Sequence, residues 1–137
     1  MAMDNASPLS SIPSHRGQNI PIDLLGKLGH IQEHWRPHVV AEMNNYQFKV
    51  VKIAGDFVWH THVDTDEAFI VLEGVLRIDF RDRSMELQPG QMAVVPKGVE
   101  HKTFAAEEAK LLLIEPAGVQ NTGDAETDRT APDDVWV

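Results

Sequence analysis

From Val39 onward the chain is divided into short β-type runs by turn-forming residues at intervals of about ten. The runs are HVVAEM, YQFKVVKI, FVWHTH, EAFIVLEG, VLRIDFR, SMELQ, QMAVVP, HKTFAA and KLLLIEP. Between them stand Asn44-Asn45, Gly55-Asp56, VDTD, Gly74, RDRS, Pro89-Gly90 and PKGVE. So many short strands broken so regularly predict an all-β fold, a small antiparallel barrel or sandwich. No alternating β-α unit and no glycine loop opening a helix is present, so a nucleotide-binding fold is unsupported.

Ahead of the strands, PIDLLGKLGHIQEHWRP carries Leu24, Leu25, Leu28, Ile31 and Trp35 at roughly helical spacing. That predicts a short N-terminal helix capped by Asp23 and stopped by Pro37. Gly26 and Gly29 each cost about 1 kcal/mol of helix propensity, so the helix must depend on packing. Residues 1–20, rich in Ser, Pro and Asn, read as an extended arm. Residues 21–116 read as the barrel domain with its helix, and residues 117–137 as an acidic tail.

The 137 residues suffice for one domain with a real core. There is no cysteine, which excludes disulfides and thiolate-ligated metals, so any metal must be held by histidine and carboxylate. A net charge of -9 argues against a nucleic-acid surface, which needs clustered Lys and Arg. From Glu115 to Val137 six acidic residues stand against one Arg, the composition of a solvated, loosely ordered segment. No run approaches the roughly 18 apolar residues of a membrane span and no signal-peptide core opens the chain, which makes the cytoplasm the expected location.

The stretch GDFVWHTHVDTDEAFIVLEG places polar groups where a buried strand wants valine. Residues two apart on a strand share a face, so His60 and His62 can converge on one ion. Glu67 has the wrong parity for a straight continuation. The turn formers Asp64, Thr65 and Asp66 can carry it into the neighbouring strand, where it meets the imidazoles from the side. Downstream, in GQMAVVPKGVEHKTFA, Pro96 and Gly98 mark a turn and His101 opens the next strand as a fourth candidate ligand. The other histidines invite blander readings. His15 lies in the arm, His38 follows Pro37, and His30 and His34 are four apart on the expected helix without a third ligand. Trp59 alternates with His60 and should point away from the cluster, as a core or interface aromatic.

These two stretches resemble the paired motifs of the cupin superfamily. Gly55, four residues, His60-Thr61-His62, four residues, Glu67, six residues and Gly74 match the first motif but for one residue in the first gap. Gly90, Pro96, Gly98 and His101 match the second in place, while Ala105 stands where that motif has Asn. Fifteen residues, Val75 to Pro89, separate the motifs, as in small single-domain members. The resemblance implies a jelly-roll β-barrel with a divalent metal inside, held by His60, His62, Glu67 and His101, and often dimerisation. Nitrogen and oxygen donors of this kind suit Fe, Mn, Ni, Zn, Cu or Co.

Three neutral imidazoles, one carboxylate and a 2+ ion leave net +1 and, in an octahedral shell, two open positions. Such a site suits an enzyme acting on a small oxygenated metabolite, by dioxygenase, isomerase or lyase chemistry. The alternatives are a binding module for a small acid or sugar and a purely structural clamp. No acid-base partner can be fixed from the sequence, although Tyr46, Gln47, Lys49 and Gln91 are candidates. The expected partners are a small-molecule ligand and a second copy of the chain in a homodimer, with neither nucleic acid nor membrane. The doubly apolar run Ala68 to Leu72 supports the homodimer, because a strand apolar on both faces must be covered twice.

Overall fold

A computed structural model describes residues 17–137. His15 and all but the last four residues of the expected arm lie outside them. The described elements are one helix, α1 (Leu24–Leu28), and seven strands: β1 (His38–Met43), β2 (Tyr46–Asp56), β3 (Glu67–Glu73), β4 (Leu76–Asp79), β5 (Ser84–Leu87), β6 (Met92–Val95) and β7 (Lys102–Pro116). Every recorded strand pairing is antiparallel. The principal order is β1-β2-β7-β3-β6, while β4 pairs with both β5 and β7. This is the small all-β barrel, or jelly roll, expected of the sequence.

β7 is the seam of the barrel. Its second half pairs with β2 and β3, and its first half pairs with β4 and the end of β2. Between the halves Ala106, Glu107 and Glu108 bulge outward, so that Ile53 faces Ala109 but Gly55 already faces Ala105. A bulge of this kind bends a strand and lets it serve two sheets. The sequence reading took HKTFAA and KLLLIEP for two strands, and they are one.

Along β2 and β7 the alternation of the sequence becomes an inside and an outside. Val51, Ile53, Leu111 and Leu113 join Trp35, Phe69, Val71, Leu76 and Ile78 in the interior cluster. Leu28, Ile31, Val40 and Val50 form a second cluster where α1 covers part of the outer face, against Phe48, Leu72 and Leu112.

Two expectations need correction. The helix does not reach Pro37: it ends after five residues at Gly29, whose N–H meets the carbonyls of Leu25 and Gly26. Asp23 does cap it, accepting from the Gly26 N–H at 3.1 Å. Two glycines in so short a span remove the propensity that would carry it further. Trp35, with φ of 67°, leaves helical geometry altogether and donates its backbone N–H to Lys52. His30 and His34 are therefore not on one helix face, and His34 pairs instead with the exposed Glu108 at 2.8 Å. FVWHTH, in turn, is not a regular strand. Only His60 within it makes a ladder contact, an isolated antiparallel bridge to His101.

The segment after β7 also departs from the expected loose tail. Thr122 is fully buried, Trp136 bridges in parallel to Val39, and Val137 donates its N–H to the Val39 carbonyl. Its acidic residues are mostly exposed while Thr122, Gly123 and Trp136 dock, so composition alone misjudged it. No helix among the described residues is long and apolar enough to cross a membrane.

Candidate metal centre

The two motif segments are hydrogen-bonded to each other, and that is what brings their side chains together. His60 and His101 exchange both backbone bonds at 3.0 Å, Phe57 donates to Thr103, and the Gly98 N–H reaches the His62 carbonyl at 2.9 Å. Gly98 has φ of +80°, a left-handed conformation that turns the PKG corner back toward His62 and that a side chain would strain. Asp66 fixes the same corner from the other side by accepting the Lys97 N–H at 2.8 Å. Glu67 then opens β3 opposite Val95, on the neighbouring strand as its parity required.

The structure gathers His60, His62, Glu67 and His101 into one buried group, with one potential ligand atom of each lying within 4.8 Å of all the others. His60 Nδ1 is 2.9 Å from the Val58 carbonyl and His101 Nδ1 is 3.0 Å from the Val99 carbonyl. A carbonyl only accepts, so both Nδ1 atoms carry the proton and both Nε2 atoms offer a lone pair to the cluster. His62 Nε2 lies 3.1 Å and His101 Nε2 3.6 Å from the Glu67 carboxylate. Even so, His62 Nε2, His101 Nε2 and Glu67 Oε1 are buried without a well-formed hydrogen bond. Buried polar atoms left this way are costly, and convergent lone pairs are what a cation would satisfy. The donor set therefore fits a divalent metal.

Electrostatics point the same way. Burial, reinforced by the neighbouring His101, lowers the His60 pKa to about 4, so that ring is neutral near pH 7. Burial alone would lower His62 and raise Glu67, but attraction within the cluster prevails in both. His62 is raised by Glu67, and Glu67 is lowered to about 2 by His101 and then by His62. The carboxylate is thus ionised and ready to ligate.

Aromatic rings buttress the imidazoles. Phe57 meets His60 edge-on at 5.4 Å and Phe69 meets His101 at 6.0 Å, while Trp35 stacks on Phe57 at 4.7 Å. Trp59 does point away from the cluster, but it is half-buried under the Arg81 guanidinium at 3.8 Å and forms no part of the core.

Sequence reasoning missed two contributors. The first is the C-terminal segment. Asp124 accepts the Thr61 N–H at 2.8 Å and returns its own N–H to the Thr61 carbonyl at 3.0 Å, clasping the residue between the two histidines. Gly123 lies so close beneath that a Cβ there would collide with the Thr61 carbonyl. The Thr-Gly-Asp sequence, a turn signal inside an otherwise polar tail, was the available hint. The second is a buried hydrogen-bonded pair, Lys49 Nζ donating to Glu115 Oε2 at 2.9 Å, on the inner faces of β2 and β7. Glu115 is pushed up to about 8 by burial and by the Glu67 charge, against the pull of Lys49. Of the acid-base candidates, Gln47 and Lys49 face inward, whereas Tyr46 and Gln91 are exposed.

Comparison with known proteins extends these observations. Residues 48–115 match the family described as Cupin domain. The chain is similar to the uncharacterized protein YdbB of Bacillus subtilis (strain 168), 35% identical over 94 residues that span 68% of this chain and 83% of that protein. A crystal structure of a cupin-2 domain containing protein from Shewanella frigidimarina is 58% identical with a TM-score of 0.69, covering 69% of this chain and 93% of that one. The Neisseria meningitidis protein NMB1881 is 38% identical with a TM-score of 0.66, covering 72% of this chain and 100% of that one.

Proposed function

The chain belongs to the cupin domain family, and on that premise we propose that its buried cluster is a divalent metal site serving a small-molecule enzyme. The single observation that carries this reading is the set of convergent, buried and unpartnered donor atoms on His62, Glu67 and His101, beside a His60 held neutral. His60, His62, Glu67 and His101 would hold the ion. When bound, a transition metal supplies Lewis-acid or redox chemistry at its open positions, which suits dioxygenase, isomerase or lyase turnover.

The protein's own residues do the rest. Val58 and Val99 orient two rings through their carbonyls, Asp124 and Gly98 hold the His60–His62 segment, and the apolar wall excludes bulk water. A cavity of about 40 Å³ opens directly on His60 and Glu67. A site serving only as a clamp has no need of such a chamber, and this favours a ligand-binding role. A binding module without turnover would share the chamber, and substrate-dependent oxygen uptake or product formation separates the two. We further propose that residues 21–116 form the barrel domain and that the protein acts as a homodimer.

The metal reading is tested on protein purified without chelators. Near-stoichiometric transition metal is expected in the wild type, and most of it should be lost from a folded His62→Ala. Metal content unchanged in that variant would overturn the assignment.

A further inference from the structure

The four candidate ligands are at most 5% exposed, and the chamber beside them, about 40 Å³, has room for a few waters. Sites that enclose small molecules run to about 300–1,000 Å³. Neither an ion in its hydration shell nor a whole metabolite fits, so something beside the cluster must move to admit them. The sheet is ill suited to that, because its ladders run without a break from β2 through β7 to β3 and β6, and parting them would open the interior cluster.

Residues 118–132, which follow β7, are held differently: they bond chiefly to themselves. Asn121 donates to the Arg129 carbonyl at 2.9 Å and accepts the Ala131 N–H at 2.9 Å, drawing the two ends together. The fully buried Thr122 donates to the Ala125 carbonyl at 2.6 Å and meets the Thr130 hydroxyl at 2.8 Å, and Gln120 donates to the carbonyls of Gly123 and Ala125. A compact surface loop with close ends, packed by its own side chains, can move as a unit. Its ends stay attached, since Ala117 donates its N–H to the Asn45 carbonyl at 2.8 Å before the loop and Val39 donates to the Val135 carbonyl at 2.7 Å after it. Among the described residues, the hydrogen bonds from 118–132 to the barrel are the pair with Thr61, Asp124 accepting its N–H at 2.8 Å and donating to its carbonyl at 3.0 Å.

Held by that pair, the loop covers the cluster. Asn121 lines the chamber, and Arg129 lies 5.3 Å over Trp35, which forms another part of the wall. Gly123 lies against the His60 ring, where a Cβ would stand 3.1 Å from Cδ2. We infer that residues 118–132 are a lid on the metal site, latched by Asp124 onto Thr61, and that ion and ligand pass when the latch opens. The lid presupposes the metal reading above, and its test separates the two.

Co(II) uptake by metal-free protein is followed by visible absorption, and release by mixing loaded protein with excess EDTA. Wild type is compared with Asp124→Ala, which removes the acceptor, Gly123→Ala, whose methyl collides with the Thr61 carbonyl, and Asp124→Asn, which keeps an acceptor without the charge. Both positions lie outside the interior cluster, so the variants should fold. A lid that opens more often speeds passage in both directions. Uptake and release should therefore rise together in the two alanine variants, by about three- to tenfold for the loss of one hydrogen bond. The His60–His62 segment keeps its bonds to His101 and Gly98, so affinity and the Co(II) spectrum should not change, and Asp124→Asn should stay within about twofold of wild type. Rates unchanged in the alanine variants overturn the lid. So does release raised alone with weakened affinity or a shifted spectrum, the mark of a prop for ligand geometry, and so does Asp124→Asn as fast as Asp124→Ala, the mark of a charge effect. Each of these leaves the metal site standing, whereas wild type that takes up no cobalt overturns the metal reading and the lid with it.

Discussion

At the scale of single residues, the cluster sets a competition between protons and metal. In the metal-free protein His62 is raised by Glu67 against the pull of burial, and Glu67 is lowered, also against burial, by His101 first and then by His62. The Glu67 contribution to stability is present above its ordinary pKa of 4.5 and is lost as pH falls toward about 2. The His62 contribution is complete below its ordinary pKa of 6.5 and is lost as pH rises through the raised value. A metal needs His62 neutral, so uptake must displace that proton. His60, already lowered to about 4, adds no second proton until strongly acid conditions. Apparent metal affinity should therefore fall by about tenfold per pH unit below the raised His62 pKa, with about one proton released per ion bound. Calorimetry in buffers of different ionisation enthalpy measures the release; an affinity flat from neutral pH to pH 5 would contradict it. The four residues themselves were legible in the sequence because the two motifs kept all but one of their internal spacings. Asp124 was not, because nothing in a polar segment distinguishes a carboxylate that clasps Thr61 from one facing solvent.

At the scale of elements, the strands were largely readable and their ends were not. HVVAEM and EAFIVLEG became β1 and β3 because apolar alternation and flanking turns agreed. FVWHTH failed as a strand because its conformation is imposed by tertiary bonds to Gly98, His101 and Asp124, which no local pattern encodes. Lys49 and Glu115 were hidden in the same way. Each sits in an apolar run as an apparent exception, and only the diagonal contact between β2 and β7 explains both. Removing one partner of such a buried pair strands the other. Lys49→Met should cost about 1–3 kcal/mol by leaving the buried Glu115 carboxyl without its donor, whereas adding Glu115→Leu should recover most of that loss. The raised Glu115 pKa has a sign of its own: the native state holds a proton that the unfolded chain releases above 4.5. Its contribution to stability therefore declines as pH rises from there to about 8. Glu115→Gln should flatten that decline in a series of urea midpoints. Equal losses in the single and double variants, or a pH slope unaffected by Glu115→Gln, would refute the account.

At the scale of the whole molecule, an apolar sheet face is left uncovered among the described residues. The strand register aligns Phe48, Ile114, Ala68 and Val94 in one row across β2, β7, β3 and β6, and Val50, Leu112, Ile70 and Met92 in a second. Helix α1 covers the β2 end of these rows, where Val50 is fully buried. The β6 end is open: Met92 is 56% and Val94 54% exposed, on a strand that ends the sheet order. An apolar sheet face beside an open strand edge is what a second copy can cover, pairing like with like about a two-fold axis. The doubly apolar run Ala68 to Leu72 carried this signal in the sequence, because β3 buries Phe69 and Val71 inward while Ala68 and Ile70 remain for something else. Light scattering should give twice the 15.3 kDa chain mass at micromolar concentration. Met92→Lys together with Val94→Glu should reduce it to one chain, since two opposite charges would have to be buried at the centre of the contact. Both positions lie outside the interior cluster, so metal content and the far-ultraviolet spectrum should not change. A wild type that scatters as a single chain would refute the dimer, and a double variant that remains dimeric would move the contact to another face.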